Sequence, residues 1–565
     1  MRRSVIDGAI SPQFPRDAAR LTAPHVRPLR AGERAAARAV SYALPVMLAM
    51  LAGLGLRLVL LDRYPLREDE AIYAYWALHA WGDDPMFLQV WPDKPPLYLW
   101  LLGGAFRLFG VSEVSARWLN VACSTLLIPV VAATARRAWG PLAGTIAAMA
   151  LALNPYAVSF GSTAFTDPLL VLAGTLALCL VVYGRAGAAG LWLGAAVMTK
   201  QQGLFFAPLV VGALWATAPR GERARPSFGQ ALLRLGAGAA LAVAPVVYWD
   251  SLRWAVAPSP WDLATRNYAA LGLASPLAWP ERAAAWGELA WHLAGGATAW
   301  ALAAALVAGG LLAGRRTPGS DRLIGLIALW SAAFLLLHGM ATVQAWDRYL
   351  LPLAPMLALA VGWGGGRLVA WRAWTPSRAA LVIAGALLVW TPPAWRAAAG
   401  ALPIGGDHGA YAGLPAAIEQ VRTLGGEQYV LYHQTLGWHY RFYLYNDLNN
   451  DRNNDLDNAL GDARVDLRWF PSTVYLADNA AKTPYPPAYL IEPDWASLPN
   501  LASHLAMRGL ALTPRGAFEH FRVWEVTHPA AEPCDWCACR APATWTRTLA
   551  AHGPSSALPA RNAPP

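Results

Sequence analysis

The sequence predicts a polytopic α-helical membrane protein with about eleven spanning helices and a small C-terminal α/β domain outside the membrane. The chain of 565 residues is 56% hydrophobic and 14% charged, whereas about a quarter of an ordinary globular chain is charged. Long apolar runs recur between short polar segments, and most of them approach the ~20 residues needed to cross ~30 Å of hydrocarbon. From about residue 396 the apolar runs shorten to strand length, which indicates a change of fold class.

Eleven apolar segments are predicted to span the membrane. They are 42–61, 115–135, 141–160, 167–184, 187–199, 202–217, 231–249, 288–313, 322–341, 349–371 and 378–394. The run 96–109 is short, follows a Pro pair and carries Arg107, so it is predicted to be a re-entrant or juxtamembrane helix on the outer side. Residues 1–40 have no apolar run and are predicted to be a disordered basic cytoplasmic tail.

The distribution of arginine orients these segments. With the N-terminus inside, the short loops rich in Arg all face the cytoplasm, as the positive-inside rule requires. These residues are Arg136, Arg137, Arg185, Arg220, Arg223, Arg225, Arg234, Arg315, Arg316, Arg322, Arg367, Arg372 and Arg378. Counting 96–109 as a span would place all of them outside. The sequence therefore predicts a multi-pass protein of the plasma membrane with its C-terminal domain extracytoplasmic.

Composition also excludes some classes of protein. The formal net charge of +10 could indicate a nucleic-acid partner, but the Arg residues lie at the ends of apolar runs and form no single basic face. The five Cys do not suggest a disulfide framework, since Cys123 and Cys179 lie inside apolar runs. Cys534, Cys537 and Cys539 are weak evidence for a metal site without a fourth ligand.

Polar residues that could carry chemistry collect on the outer side. Residues 62–96 form the first long polar interruption and contain Asp69-Glu70 and Asp93-Lys94. Only three of the 45 basic residues are Lys (Lys94, Lys200 and Lys482), so the use of Lys at Lys94 suggests a need for a compact point charge, although Lys94 could also be an ordinary loop charge. Charged groups near a membrane are usually functional or paired. The other outward-facing residues are Asp167, Gln201, Gln202, Asp250, Asp262, Arg266, His292, Asp347, Arg348 and Tyr349.

Four regions follow from these patterns: the tail 1–40, a membrane domain 41–395 with outer loops 62–114 and 250–287, an α/β domain 396–530, and a disordered tail 531–565. Strands are predicted at Tyr429–Tyr432, Val474–Leu476, Tyr489–Ile491 and Phe521–Val526, with helices at 415–424 and 499–509. The polar stretch 446–458 is rich in Asp and Asn but lacks the order of an EF-hand calcium loop.

The ordered motifs resemble the GT-C superfamily of membrane glycosyltransferases, in particular the branch of dolichyl-phosphate-mannose–protein mannosyltransferases and lipid A aminoarabinose transferases. The resemblance covers residues 42–371. It rests on Asp69-Glu70, Asp93-Lys94-Pro95-Pro96-Leu97, Leu108-Phe109-Gly110, Arg117, Thr166-Asp167, Met198-Thr199-Lys200 and Arg348-Tyr349-Leu350-Leu351-Pro352 with Pro355.

The resemblance implies a GT-C fold and transfer of a sugar from a polyprenyl-phosphate donor to an acceptor hydroxyl on a glycan, lipid or protein, with inversion. Asp69 is then the candidate catalytic base, with Glu70 beside it. The candidate residues for the donor phosphate are Lys94, Arg348, Tyr349, Lys200 and Arg266, and the candidates for positioning sugar or acceptor are Asp93 and Asp167. Membrane lipids are expected partners, and nucleic acid is not.

The sequence departs from the branch in ways that leave its cofactor open. Some aminoarabinose transferases pair a Glu with a loop His at a zinc ion, but Asp93 stands in that place here and loop 250–287 has no His. The sequence therefore leaves open whether the protein binds a divalent metal. The weak candidate ligands are Asp93, Asp167 and His292. A transporter or flippase of lipid-linked sugars is the alternative function, but it would favour an internal repeat or charges distributed through the spans. A non-catalytic scaffold leaves Asp69, Lys94 and Asp167 unexplained.

Overall fold

The computed structural model describes residues 31–217, 227–268, 272–313, 318–448, 464–483 and 486–528. Up to residue 398 the described chain is almost entirely helical. Its helices are Ala31–Leu58 (α1), Glu68–Ala80 (α2), Leu97–Phe109 (α3), Glu113–Trp139 (α4), Pro141–Ala152 (α5), Pro155–Gly161 (α6), Asp167–Val182 (α7), Ala186–Thr199 (α8), Phe206–Thr217 (α9), Phe228–Arg253 (α10), Pro260–Asn267 (α11), Trp279–Ala294 (α12), Ala297–Leu312 (α13), Pro318–Met340 (α14), Leu353–Trp371 (α15) and Pro376–Ala398 (α16). Short 3-10 helices lie at Gln201–Phe205, Pro276–Ala278 and Asp347–Leu350.

Each of the eleven segments predicted to span the membrane overlaps one of these helices or, for 141–160 and 288–313, two consecutive helices. Within the described ranges, five helices are long and apolar enough to cross a membrane, and two bent pairs, α5 with α6 and α12 with α13, raise the number to seven. Helices α3, α7, α8 and the part of α1 from residue 42 are apolar but shorter. The structure therefore confirms a largely apolar helical domain, and the number of eleven spans stays a prediction.

Small residues bring the helices of this domain close together. A Cβ added at Gly190 of α8 would lie 2.0 Å from the carbonyl oxygen of Leu235 of α10, and one at Gly238 would lie 2.1 Å from that of Gly187. Such contacts between backbones are typical of membrane helices, whose association depends on close van der Waals packing. Helix α8 is thereby fixed, and Lys200 follows directly at its C-terminal end.

The predicted short helix at 96–109 is present as α3, and it packs against α2. A Cβ at Gly103 would lie 2.5 Å from the carbonyl oxygen of Ala77, so the two helices touch backbone to backbone. Its re-entrant position stays a prediction. The last ten residues of the predicted N-terminal tail belong to α1, which begins at Ala31.

The C-terminal part is a small α/β domain, as predicted. Its sheet has the strand order β2-β1-β3-β5-β4, with β2, β1 and β3 parallel and β3, β5 and β4 antiparallel. The strands are Tyr429–His433 (β1), Val465–Trp469 (β2), Ala488–Pro493 (β3), Ala511–Phe518 (β4) and Phe521–Thr527 (β5). The helices are Leu414–Gly425 (α17), Gly437–Tyr443 (α18), Tyr445–Leu448 (α19), Thr473–Lys482 (α20) and Leu501–Ala506 (α21).

The structure corrects one strand in this domain. The strands predicted around β1, β3 and β5 and the helix at 415–424 are confirmed, and 499–509 contains the shorter α21. The strand predicted at Val474–Leu476 is wrong, because this segment lies in α20. Ser472 caps that helix by accepting a hydrogen bond from the backbone N–H of Tyr475, and the buried positions Leu476 and Ala480 follow helical spacing. Residues 449–463 and the cysteines at 534–539 lie outside the described residues, as does the predicted tail 531–565.

Candidate functional site

A cavity of about 370 Å³ collects many of the outward-facing polar residues predicted from sequence. Its wall is built from the stretch after α8, helix α11, the end of α14 and the 3-10 helix before α15. It is lined by Lys94, Lys200, Gln201, Gln202, Leu204, Phe205, Trp261, Ala264, Thr265, Tyr268, Leu337, His338, Ala341, Val343, Arg348 and Tyr349. Three cations thus face a cavity whose remaining wall is largely apolar and aromatic.

Glu70 is fixed in the first turn of α2 by Arg117 of α4. The Arg117 Nε and Nη2 atoms donate to the two carboxylate oxygens at 3.0 and 2.9 Å. The same oxygens accept from the backbone N–H groups of Ala164 at 2.7 Å and Arg67 at 3.0 Å. Although burial raises the pKa of Glu70, the charge and hydrogen bonds of Arg117 outweigh it and lower the pKa. Glu70 is therefore a fully paired, ionised carboxylate.

Asp69, its neighbour, points elsewhere because adjacent side chains on a helix diverge by about 100°. One carboxylate oxygen accepts from the guanidinium of Arg348, and the side chain is 26% exposed whereas that of Glu70 is 3% exposed. Burial raises the pKa of Asp69, but the charge and hydrogen bond of Arg348 lower it more. Asp69 is joined to the cavity through Arg348, which lines it.

Asp93 and Lys94 form the second ion pair. The Lys94 ammonium donates to Asp93 at 2.7 Å and to the hydroxyl oxygen of Tyr268 at 3.0 Å, and it lies 4.6 Å from the centroid of the Tyr268 ring. Asn267 donates its side-chain amide to the other Asp93 oxygen at 3.3 Å, and Gln201 donates to the Asp93 carbonyl at 2.9 Å. Residues at the end of α11 and at the start of the 3-10 helix after α8 therefore hold the Asp93-Lys94 pair at the cavity.

Asp167 and Lys200 form the third pair, deep in the helical domain. Lys200 donates to Asp167 at 2.8 Å, and both side chains are at least 95% buried. The ammonium also lies 4.9 Å from the centroid of the Tyr349 ring. Burial lowers the pKa of Lys200 to about 8, although Asp167 opposes that shift. Each of the three cavity cations is thus paired with one carboxylate predicted from sequence.

Two predicted residues do not join this arrangement. Arg266 is exposed on α11 and paired with Asp262, and it is absent from the cavity wall. His292 lies on α12 and also does not line the cavity. Across the described ranges, no group of three or more His, Cys, Asp and Glu side chains is placed to hold a metal. Asp93 and Asp167 each accept a hydrogen bond from a lysine ammonium group, so both carboxylates are held in ion pairs.

Sequence reasoning missed three parts of the wall: Tyr268, Trp261 and His338. Tyr268 follows Asn267 in a loop whose mixed charges and aromatic residues are typical of an ordinary interfacial segment. The sequence pattern therefore gives no signal that Tyr268 belongs to a site. His338 sits inside an apolar run, where its ring packs on Phe334 with centroids 4.2 Å apart. A His within a predicted span was the available signal, since ionisable residues there are usually functional or paired.

Comparisons with known proteins agree with the resemblance predicted from the motifs. The family model described as dolichyl-phosphate-mannose-protein mannosyltransferase matches residues 93–249. The fold is shared with ArnT from Cupriavidus metallidurans. In the apo state that structure matches with a TM-score of 0.59 and 17% identity over 86% of this chain and 98% of that one. The structure bound to undecaprenyl phosphate matches with a TM-score of 0.58 and 16% identity over 86% and 97%.

An archaeal oligosaccharyltransferase, AglB from Archaeoglobus fulgidus, is more distant, with a TM-score of 0.47 and 12% identity over 87% of this chain and 75% of that chain. No curated protein sequence matches the chain significantly. The likeness to ArnT thus establishes an ArnT-like fold for this chain.

Proposed function

We propose that the protein is an integral-membrane glycosyltransferase that moves a sugar from a polyprenyl-phosphate donor to an acceptor hydroxyl at the outer face of the membrane. The acceptor oxygen forms a bond to the anomeric carbon on the side opposite the phosphate. The bond from that carbon to the phosphate oxygen breaks, and the polyprenyl phosphate leaves with the electron pair. The hydroxyl proton passes to a carboxylate. The sugar, a hexose or a pentose, is inverted at its anomeric carbon.

The observation that carries this proposal is the meeting of Lys94, Lys200 and Arg348 at one cavity of about 370 Å³. A departing phosphate gains negative charge, and fixed cations in a site shielded from water stabilise that charge most effectively. Each cation is already oriented by a carboxylate, so little reorganisation is needed when a phosphate arrives. The apolar wall, which includes Leu204 and Phe205, suits the first part of a polyprenyl chain.

The comparisons support the same donor. ArnT from Cupriavidus metallidurans has the fold of this chain and was solved with undecaprenyl phosphate bound. The family model that matches residues 93–249 is named for enzymes that use dolichyl-phosphate-mannose. Both compounds are polyprenyl-type phosphates, and the cations on the cavity wall offer what such a phosphate needs.

In this proposal the two adjacent carboxylates have different roles. Asp69 is the general base, since it is ionised, partly exposed and held beside the cavity by Arg348. Glu70 is a positioning residue, since Arg117 and two backbone N–H groups occupy both of its oxygens. Arg348 can contact the donor phosphate from the cavity side and thereby bring base and leaving group together.

The remaining residues hold the donor. Lys94, Lys200 and Arg348 contact the phosphate, and the hydroxyl of Tyr349 donates to it. Asp93 and Asp167 orient the two lysines and face the sugar or the acceptor. Arg266 is left out of the phosphate set, because its side chain is 69% exposed and paired with Asp262.

The test is incubation of the purified protein in liposomes with a panel of labelled polyprenyl-phosphate sugars and candidate glycan, lipid and protein acceptors. We expect one donor to lose its label to an acceptor in a single turnover, with release of polyprenyl phosphate. The double variant Lys94→Ala, Arg348→Ala is the inactive control, and Lys482→Ala in α20 is a matched control for loss of a lysine. Movement of intact lipid-linked sugar between the two leaflets of the liposome membrane, without transfer of the sugar to an acceptor, would instead identify a flippase.

A further inference from the structure

The C-terminal domain contacts the membrane domain at α2 and at the residues that precede this helix. Helix α18 lies along α2, with the Trp438 ring 6.0 and 6.1 Å from the rings of Tyr75 and Trp76. One turn further along α2, the Tyr445 ring lies 5.4 Å from that of His79. The domain therefore packs against the C-terminal half of α2, the helix that carries Asp69 and Glu70 in its first turn.

Two side chains of α18 hold both backbone polar groups of a single residue, Leu66. His439 Nε2 lies 3.0 Å from the Leu66 carbonyl oxygen, and the Leu66 N–H donates to the hydroxyl oxygen of Tyr443 at 3.2 Å. A carbonyl can only accept, so the His439 Nε2 atom carries the proton. Leu66 and His439 are both completely buried, so these hydrogen bonds are protected from competing water.

Each of the two side chains is itself held in place. The His439 ring packs on Tyr411 with centroids 4.3 Å apart and an angle of 31° between the planes. Burial lowers the pKa of His439 to about 4, so the ring is neutral at neutral pH. The Tyr443 hydroxyl donates to Glu113 at the start of α4. The domain thus presents rigid groups to Leu66.

The same short segment is held from the membrane domain by Arg117. Its guanidinium donates to the carbonyl oxygens of Leu61 at 3.1 Å, Tyr64 at 2.8 Å and Pro65 at 3.0 Å, besides its pair with Glu70. Residues 61–66 therefore lie between Arg117 on one side and α18 on the other. Asp69 follows only three residues after Leu66, in the first turn of α2.

We propose that His439 and Tyr443 of the C-terminal domain are positioning residues for Asp69, which makes that domain a working part of the transferase site. The inference rests on the proposed function. By holding Leu66 at both its N–H and its carbonyl, α18 fixes where α2 begins and hence where the Asp69 carboxylate lies relative to Arg348. A shift of about 1 Å in such a group can lower a rate roughly a hundredfold.

The test compares His439→Ala, His439→Gln and Tyr443→Phe with two controls in the same domain, His520→Ala and Tyr475→Phe, whose side chains are exposed. Single-turnover transfer and binding of the labelled donor are measured for each purified protein. We expect His439→Ala to lower the transfer rate roughly ten- to a hundredfold while donor affinity stays within about twofold. Backbone amide exchange across residues 62–76 should also become faster.

His439→Gln should recover part of the rate, because its amide N–H can again donate to the Leu66 carbonyl. Tyr443→Phe should resemble His439→Ala, and both controls should match the wild type. If His439→Ala transfers at the wild-type rate, or loses donor binding and rate together with no rescue by Gln, the positioning role is wrong. If the wild type transfers sugar from no donor, the proposed function fails and this inference with it.

Discussion

Glu70 and Arg117 form a bidentate ion pair buried between α2 and α4, and the pair leaves neighbouring Asp69 as the carboxylate of α2 that is joined to the cavity through Arg348. The two adjacent acidic residues of one sequence motif therefore lie in different environments. One carboxylate has all its hydrogen-bonding capacity used by the protein, and the other keeps a partly exposed side chain.

Asp69→Asn should nearly abolish transfer while donor binding is kept, because the amide preserves the shape of the side chain and cannot accept the hydroxyl proton. Glu70→Gln should have a smaller effect on the rate of each folded molecule. Single-turnover transfer and binding of a labelled polyprenyl-phosphate sugar measure the two effects separately. If Asp69→Asn is active and Glu70→Gln is inactive, the general base is Glu70 and not Asp69.

Glu70→Gln should reduce stability more than Asp69→Asn does. The substitution leaves the buried Arg117 without its carboxylate, and breaking such a buried pair costs about 3–5 kcal/mol. Thermal unfolding of the two variants in the same detergent is the measurement. Equal midpoints for the two variants would show that the Arg117 pair contributes no more than the partly exposed pair of Asp69 and Arg348.

Lys94→Ala should lower the transfer rate ~10²–10³-fold, the usual loss when one preorganised electrostatic contact to a developing charge is removed. Lys94→Arg should recover only part of it, because the planar guanidinium is larger and its charge more diffuse. Lys482→Ala supplies the matched control, since Lys482 is exposed at the end of α20. Near-normal transfer by Lys94→Ala would show that Lys94 is an ordinary loop charge with no role in transfer.

The pH dependence of transfer should have an acid limit set by Asp69. Because Arg348 lowers the pKa of Asp69, the base stays ionised as pH falls, and the rate should hold down to roughly pH 4, the value for an unperturbed Asp. The same depressed pKa contributes stability at neutral pH that is lost as pH falls through it. In the Arg348→Gln variant, burial still raises the pKa of Asp69 and the opposing charge of Arg348 is gone. The acid limit of the residual transfer rate should therefore move to higher pH. If the acid limit of the rate does not move in Arg348→Gln, a group other than Asp69 sets that limit.

At the alkaline side the limit should come from Lys200. Burial lowers the pKa of Lys200 to about 8, so the ammonium loses its proton as pH rises through that value, and its attraction for the donor phosphate is lost. Lys200→Arg should remove this limit, because the guanidinium stays charged throughout the range. Donor binding between pH 6 and 10 is the measurement for both proteins. An alkaline decline that persists in Lys200→Arg would exclude Lys200 as its source.

The orientation of the chain is tested by cysteine labelling from outside intact cells in a variant without the five native Cys. A probe at Val474→Cys, which is 45% exposed and close to Asp478 in α20, should be modified. A probe at Arg223→Cys, in a segment outside the described residues, should be spared. The opposite pattern of labelling would overturn both the predicted topology and an active site on the outer face.

The fold class and most of the candidate site residues follow from local properties of the sequence, whereas the contacts among those residues depend on the tertiary structure. Apolar runs, Arg-rich loops and ordered motifs are local properties of the chain, so they predicted the helical domain, the C-terminal α/β domain and the residues Asp69, Lys94, Lys200 and Arg348. The error at Val474–Leu476 arose where a short apolar run is compatible with either a strand or a helix.

Contacts between distant segments could not be predicted in this way. Glu70 meets Arg117 47 residues later, Lys94 meets Tyr268 174 residues later, and Leu66 meets His439 373 residues later. No periodicity or spacing links such positions, because they become neighbours only when the helices pack. Packing made Glu70 a structural partner, left Arg266 on the surface, and brought the C-terminal domain against the helix that carries Asp69.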